Sequence, residues 1–163
     1  MIPGMPRPGV AAGAVLRAAR TSARITESCL AAASSVNEEA IRAWEDGSDP
    51  LASLPVPQLE RLESVLRAAG AEPRIVADLH VAAWWDLVLL AITGLEDCAR
   101  LLADPLTCED AFRELVAWSL TGRVPPRYRR YVLPRPLITD PGLAERVATV
   151  LGAIRPDLLP RLT

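Results

Sequence analysis

The chain has 163 residues, half of them apolar and 23% charged, with a formal net charge of -2. That is enough apolar chain for one sizeable core or two small modules, and it excludes a chain too polar to fold. Three cysteines, Cys29, Cys98 and Cys108, lie in apolar helical contexts without metal-ligand spacing; they are expected to be reduced and buried, which excludes a disulfide framework and a zinc site.

Residues 1–8 alternate Pro and Gly too densely for a helix and read as a disordered tail. This opening has no continuous apolar run, so the chain is expected in the cytoplasm. A first helix spans Gly9 to Ser22, with Val15, Leu16 and Ala19 as its apolar stripe. Thr26 is the N-cap of a short second helix whose buried side is Leu30 and Ala31. Ser34, Ser35 and Val36 make a tight turn, and Asn37 caps a third helix. In that helix Ile41, Trp44 and Glu45 recur at helical spacing until Gly47 stops it. Two short helices this close cross steeply, as they do where a second helix is offered to the major groove of DNA. After a loop from Ser48 to Val56, a fourth helix runs from Pro57 to Ala69.

From Pro73 to Thr93 the chain is apolar on nearly every face and is interrupted by Asp78, His80 and Asp86. It reads as a central buried helix, or one shared across a dimer, rather than a membrane span. Trp84 and Trp85 point roughly 100 degrees apart on such a helix, so one of them is expected to face a partner helix or a second subunit. A short helix from Leu95 to Ala103 follows Gly94, and Thr107 with Asp110 resembles a capping box. The next helix carries Phe112, Leu115, Val116 and Leu120 and ends at Gly122. Residues 122–136 break regular structure; Asp140 and Pro141 then start a final helix with Leu143, Val147, Val150, Leu151 and Ile154 as its stripe. No strand alternation and no repeat is found. The expected class is all-α, with a four-helix module at 9–70 and a helical C-terminal module at 71–163 that serves dimerisation or partner binding.

Read in register, Leu16, Arg17 and Arg20, then Leu30 and Ala31, Val36, Ile41, Glu45 with Gly47, Pro50, and the stripe Leu59, Leu62, Leu66 and Ala69 resemble the Cro/Xre-type, phage-repressor-like helix-turn-helix family over Leu16 to Gly70. The resemblance implies an ion pair between Arg20 and Glu45. It also implies a DNA-binding transcriptional regulator that sets its third helix in the major groove of double-stranded DNA as a homodimer. The DNA-contacting positions it implies are Glu27, Asn37, Glu38, Glu39, Arg42 and Ala43. Glu27 stands where the family usually has a phosphate-bonding Gln, and the front of the recognition helix is acidic. Carboxylates accept from cytosine amino groups but repel phosphates, and they also suit a solvated helix N-terminus. The rival reading is therefore a degenerate helix-turn-helix that binds a basic protein partner, antitoxin-like or adaptor-like, and not DNA.

All 18 basic residues are Arg, and the charge is uneven: -1 over 1–69, -6 over 70–122 and +5 over 123–163. Arg123, Arg127, Arg129, Arg130 and Arg135, with Tyr128 and Tyr131, either contact phosphate or clamp the acidic middle of the chain, the clamp being preferred. His80, the single histidine, reads as a surface or core residue, and Asp78 and Asp86 as solvated or paired with Arg. There is no Gly-rich phosphate loop and no second His for a nucleophile's base. Neither catalysis nor a cofactor or metal is expected.

Overall fold

The computed structural model describes residues 8–94 and 97–160, and no strand occurs among them. The fold is all-α. Its helices are α1 (Val10–Ser22), α2 (Glu27–Ser34), α3 (Glu38–Asp46), α4 (Val56–Ala68), α5 (Pro73–Thr93), α6 (Ala99–Leu102), α7 (Asp110–Thr121) and α8 (Pro141–Ile154). Single 3-10 turns stand at Leu51–Ser53, Pro105–Cys108, Pro126–Tyr128 and Pro156–Leu158. The disordered reading of residues 1–8 falls, apart from Pro8, outside the described residues, as does the expected helix start at Leu95; from that segment α6 keeps one turn.

Local chemistry sets several helix ends. Thr26 accepts from the Cys29 amide at 3.1 Å and Asn37 from the Ala40 amide at 2.7 Å, so both short helices are capped as expected. Gly47 and Gly122 stop α3 and α7 at positive φ. Asp140 caps α8 through the Gly142 amide. The capping box at Thr107 and Asp110 is corrected: the Thr107 hydroxyl donates to the carbonyls of Leu102 and Asp104, and Glu109 precedes α7 without a side-chain cap bond. Cys29 and Cys108 are exposed and only Cys98 is buried. α2 turns Leu30 and Ala31 inward rather than Cys29, and Cys108 ends a 3-10 turn at the surface, so the expectation of three buried thiols is corrected too.

α5 is the axis of the core. It packs against α1, α4, α7 and α8, and the core cluster runs unbroken from Ala11 to Leu158 across the sequence-derived boundary at 70/71. Among the described residues it is the one helix long and apolar enough to cross a membrane, and 72% of its apolar window is buried in the fold. Trp85 is fully buried, donates to the Ser119 hydroxyl at 2.9 Å and meets Phe112 edge-on at 5.6 Å. Trp84 points toward α6 and donates to the Leu101 carbonyl at 3.0 Å. Both indoles are thus used within the chain, Trp84 by a neighbouring helix. Arg155, at the end of α8, ties that helix back by donating to the Leu102 carbonyl and the Thr107 hydroxyl, each at 2.8 Å.

Asp86 is not paired with an arginine, as the sequence reading allowed, but caps another helix. Gly9 precedes α1 and offers no capping side chain. The Asp86 carboxylate, fully buried in α5, accepts from the Ala11 and Ala12 amides at 3.0 and 2.9 Å. Those donors are orphans of a helix N-terminus, where negative charge is favoured. Burial pushes the carboxyl up to about 7 against the opposing pull of the two amide bonds. Because the unfolded side chain titrates near ~4, the folded chain holds more protons between about pH 4 and 7. The Asp86 contribution to stability therefore falls as pH rises through that window, by up to about 1.4 kcal/mol per unit. Urea denaturation across this range should show that slope in the wild type and a flatter one in Asp86→Asn; equal slopes would assign the pH dependence to other groups.

α1 also runs against the end of α3. The Gly9 amide donates to the Gly47 carbonyl at 2.9 Å, and a Cβ on Gly13 would lie 2.4 Å from the Trp44 carbonyl oxygen. That obstacle is backbone, so it cannot rotate away. Gly13→Ala improves intrinsic helix propensity yet should cost about 1–3 kcal/mol through the forced separation of α1 and α3, read as a lower thermal midpoint.

Candidate functional site

The α2–turn–α3 unit is fixed from beneath by one ion pair. Arg20 of α1 meets Glu45 of α3 through two nitrogens, at 2.5 and 3.0 Å, and also donates to the Ile25 carbonyl at 3.0 Å. The Glu45 side chain is fully buried, with Arg17 a further 3.4 Å contact. The implied Arg20–Glu45 pair is thus present. Ile41 and Trp44 face inward beside it.

The opposite side of α3 reaches the surface, and all of its charged and capping groups but Glu39 are already engaged. Asn37 spends its side-chain oxygen on the helix cap. Arg42 donates to Glu27 at 2.8 Å and to Glu38 one helical turn back. Glu39 is exposed and Ala43 half-buried. Glu27, Glu38, Glu39 and Arg42 together leave this face with a formal charge of -2. The bond from Glu27 and the field of Glu38 raise the Arg42 pKa further above its ordinary value, so its charge is permanent. Sequence reading missed Arg61, which crosses from α4 to donate to the Ser35 hydroxyl in the turn at 3.1 Å. Arg61 is exposed and forms no ion pair among the described residues. Leu59, Leu62 and Leu66 mark its side of α4 as outward, but its nearness to the turn is a tertiary fact.

The arginine-rich segment divides. Arg127 is held between Asp78 of α5 at 2.6 Å and Glu114 of α7 at 2.5 Å, with its side chain 7% exposed. The Tyr128 hydroxyl donates to the same Asp78 oxygen at 2.5 Å, Arg127 lies over the Tyr128 ring at 4.9 Å, and Trp118 stacks on that ring at 5.1 Å. Burial alone would lower the Arg127 pKa, but the Glu114 and Asp78 bonds outweigh it and hold the guanidinium charged. Burial and the neighbouring Asp78 carboxylate raise the Tyr128 hydroxyl far above its usual range, so it remains a donor. For Arg127 the clamp is what the fold contains. Arg123, Arg129, Arg130 and Arg135 are exposed and form no ion pair among the described residues.

No family model, curated protein or solved structure matches this chain. The α3 face and the arginine segment therefore stand on their own geometry. Among the described residues no group of three or more His, Cys, Asp and Glu could hold a metal ion. His80 is partly exposed, and its Nε2 lies 2.8 Å from Glu63 Oε1 without the alignment of a hydrogen bond. Burial raises the Glu63 carboxyl, while His80 and Arg67 pull it down.

Arg127→Met should cost about 3 kcal/mol, because it strands the buried Asp78 carboxylate with the Tyr128 hydroxyl alone. Asp78→Asn added to it should recover much of that loss in chemical denaturation. Additive losses in the double variant would mean that the two groups are not coupled.

Proposed function

We propose that the chain is a DNA-binding transcriptional regulator, resembling the Cro/Xre type, which sets α3 in the major groove and acts as a homodimer. The observation that carries this reading is the α2–turn–α3 unit. Capped at both starts and locked to α1 by Arg20 and Glu45, it directs Ile41 and Trp44 inward and leaves Asn37, Glu38, Glu39, Arg42 and Ala43 at the surface. On DNA, Glu38 and Glu39 accept from cytosine amino groups, and Arg61 and a released Arg42 take phosphates. The C-terminal helices supply the dimer contact, which lets two copies read half-sites about 34 Å apart. The role places the protein with the chromosome in the cytoplasm and calls for no cofactor and no catalysis.

One observation favours a second reading. Arg42, the single cation of α3, is held by Glu27 and Glu38, and the face is acidic overall. Such a face repels phosphate and attracts a basic protein surface, which suits an adaptor-like or antitoxin-like interaction module.

Fluorescence anisotropy with duplexes from the region upstream of the chain's own coding sequence, across a salt series, separates the two. A regulator binds saturably and in a sequence-dependent way at physiological salt. Arg42→Ala and Arg61→Ala each weaken it on the order of tenfold, and Glu27→Gln, which leaves the base-reading carboxylates in place, tightens it by loosening the hold on Arg42. Absence of binding even at low salt, in the wild type and in Glu27→Gln alike, would overturn the DNA reading in favour of the protein partner.

A further inference from the structure

Four arginines meet in one concavity. Arg74 in the first turn of α5 and Arg123, Arg127 and Arg129 from the segment after α7 line a cleft of about 350 Å³, walled by Pro125 and Pro126, with Glu114 as the one carboxylate of its lining. Glu114 is already engaged by Arg127, which also leans on Asp78 behind it. Arg74, Arg123 and Arg129 are exposed and have no carboxylate partner among the described residues. Three uncompensated guanidinium groups on one concave surface repel one another, and an anion relieves that repulsion.

The support beneath them is rigid. Val124, Pro125 and Tyr128 are buried, and Arg129 Nε donates to the Val124 carbonyl at 3.4 Å. The prolines fix the backbone between Arg123 and Arg127, so the backbone of that segment needs little ordering on binding. Arg74 stands in the first turn of the 21-residue α5, after Pro73, and is the one residue of that turn in the lining.

We infer that this cleft binds a small phosphate-bearing anion, a phosphate monoester or diphosphate of metabolite size. A planar carboxylate is satisfied by one guanidinium fork, whereas a terminal phosphate offers three oxygens and accepts from several forks at once. The volume sits at the low end of the roughly 300–1,000 Å³ range of small-ligand pockets. None of the α3 surface residues lines the cleft. The inference therefore stands or falls independently of the DNA reading.

The test is isothermal titration of the full chain with inorganic pyrophosphate, at ionic strength held constant with sodium chloride, together with thermal unfolding. The wild type should bind one pyrophosphate saturably and unfold at a higher temperature with it. Arg74→Ala, Arg123→Ala and Arg129→Ala should each weaken binding on the order of tenfold, and Arg74→Ala and Arg123→Ala should do so with thermal midpoints in the absence of pyrophosphate no lower than the wild type's. Arg130→Ala and Arg135→Ala, exposed but outside the cleft, should bind as the wild type does. Lack of saturable binding in the wild type would overturn the inference, as would equal weakening by all five variants, which would mean a diffuse positive field. Competition by a duplex oligonucleotide that depends on the same three arginines would also overturn it, and would reassign the cleft as a grip on a polymer backbone.

Discussion

A carboxylate with no cation beside it joins the first helix to the central one. Asp86 holds the amides of Ala11 and Ala12, which fixes both the height and the rotation of α1 on α5. From that placement the rest of the N-terminal half follows. α1 carries Gly13 to the Trp44 carbonyl and Arg20 to Glu45, and those two contacts fix α3. The orientation of the surface that α3 displays is thus set by a group forty residues downstream of it in the chain. Such a site tolerates little: a capping oxygen must be there, and the low-dielectric surroundings that make it rigid also make its charge expensive.

Elsewhere the fold relies on arginine as a joint. Arg20 ties α1 to α3 and to the backbone at Ile25, Arg127 ties α5 to α7, and Arg155 ties the end of α8 to Leu102 and Thr107 while pairing with Asp157. Each uses several donors of one planar fork in different directions, which a lysine ammonium on a flexible stem does less well. A composition with 18 arginines and no lysine is therefore suited to a small helical protein poor in aromatic residues. The acidic middle of the chain is partly consumed in the same way, with Asp78 and Glu114 under Arg127 and Asp86 under α1. In the arginine-rich stretch 123–135 that follows, only Arg127 is held by carboxylates, which leaves Arg123, Arg129, Arg130 and Arg135 at the surface.

Helix spans were legible because caps and apolar periodicity are local. Thr26, Asn37, Gly47 and Asp140 act within three residues of themselves, and the stripes of α1, α4, α7 and α8 are written at helical spacing. The Thr107 and Asp110 pair misled because the same residue types serve a 3-10 turn equally well, and what decides is the tertiary anchor from Arg155. Cys29 misled because a small apolar-looking side chain in an Ala-rich helix carries no mark of which side it occupies, and Cys108 because it falls in a 3-10 turn rather than a helix. The candidate surfaces divide along the same line. Residues of α3 could be named in advance from their order, whereas Arg61 beside Ser35 and Arg74 beside Arg123 come together only through packing, at separations no local pattern encodes.

The cap on α1 also bears on the order in which the protein can be completed during synthesis. α1 and Asp86 are 75 residues apart, and chains are made N-terminus first at about 5–20 residues per second. The amides of α1 thus leave the ribosome several seconds, in order of magnitude, before the oxygen that satisfies them. Until α5 emerges, α1 lacks its cap and the larger of the two surfaces it packs on, the smaller being α3. The N-terminal helices and the central one are thus joined by a cap that only the longer chain can supply. The surface helix α3 acquires a fully supported position only when the middle of the chain arrives, which couples display of that surface to a nearly finished protein.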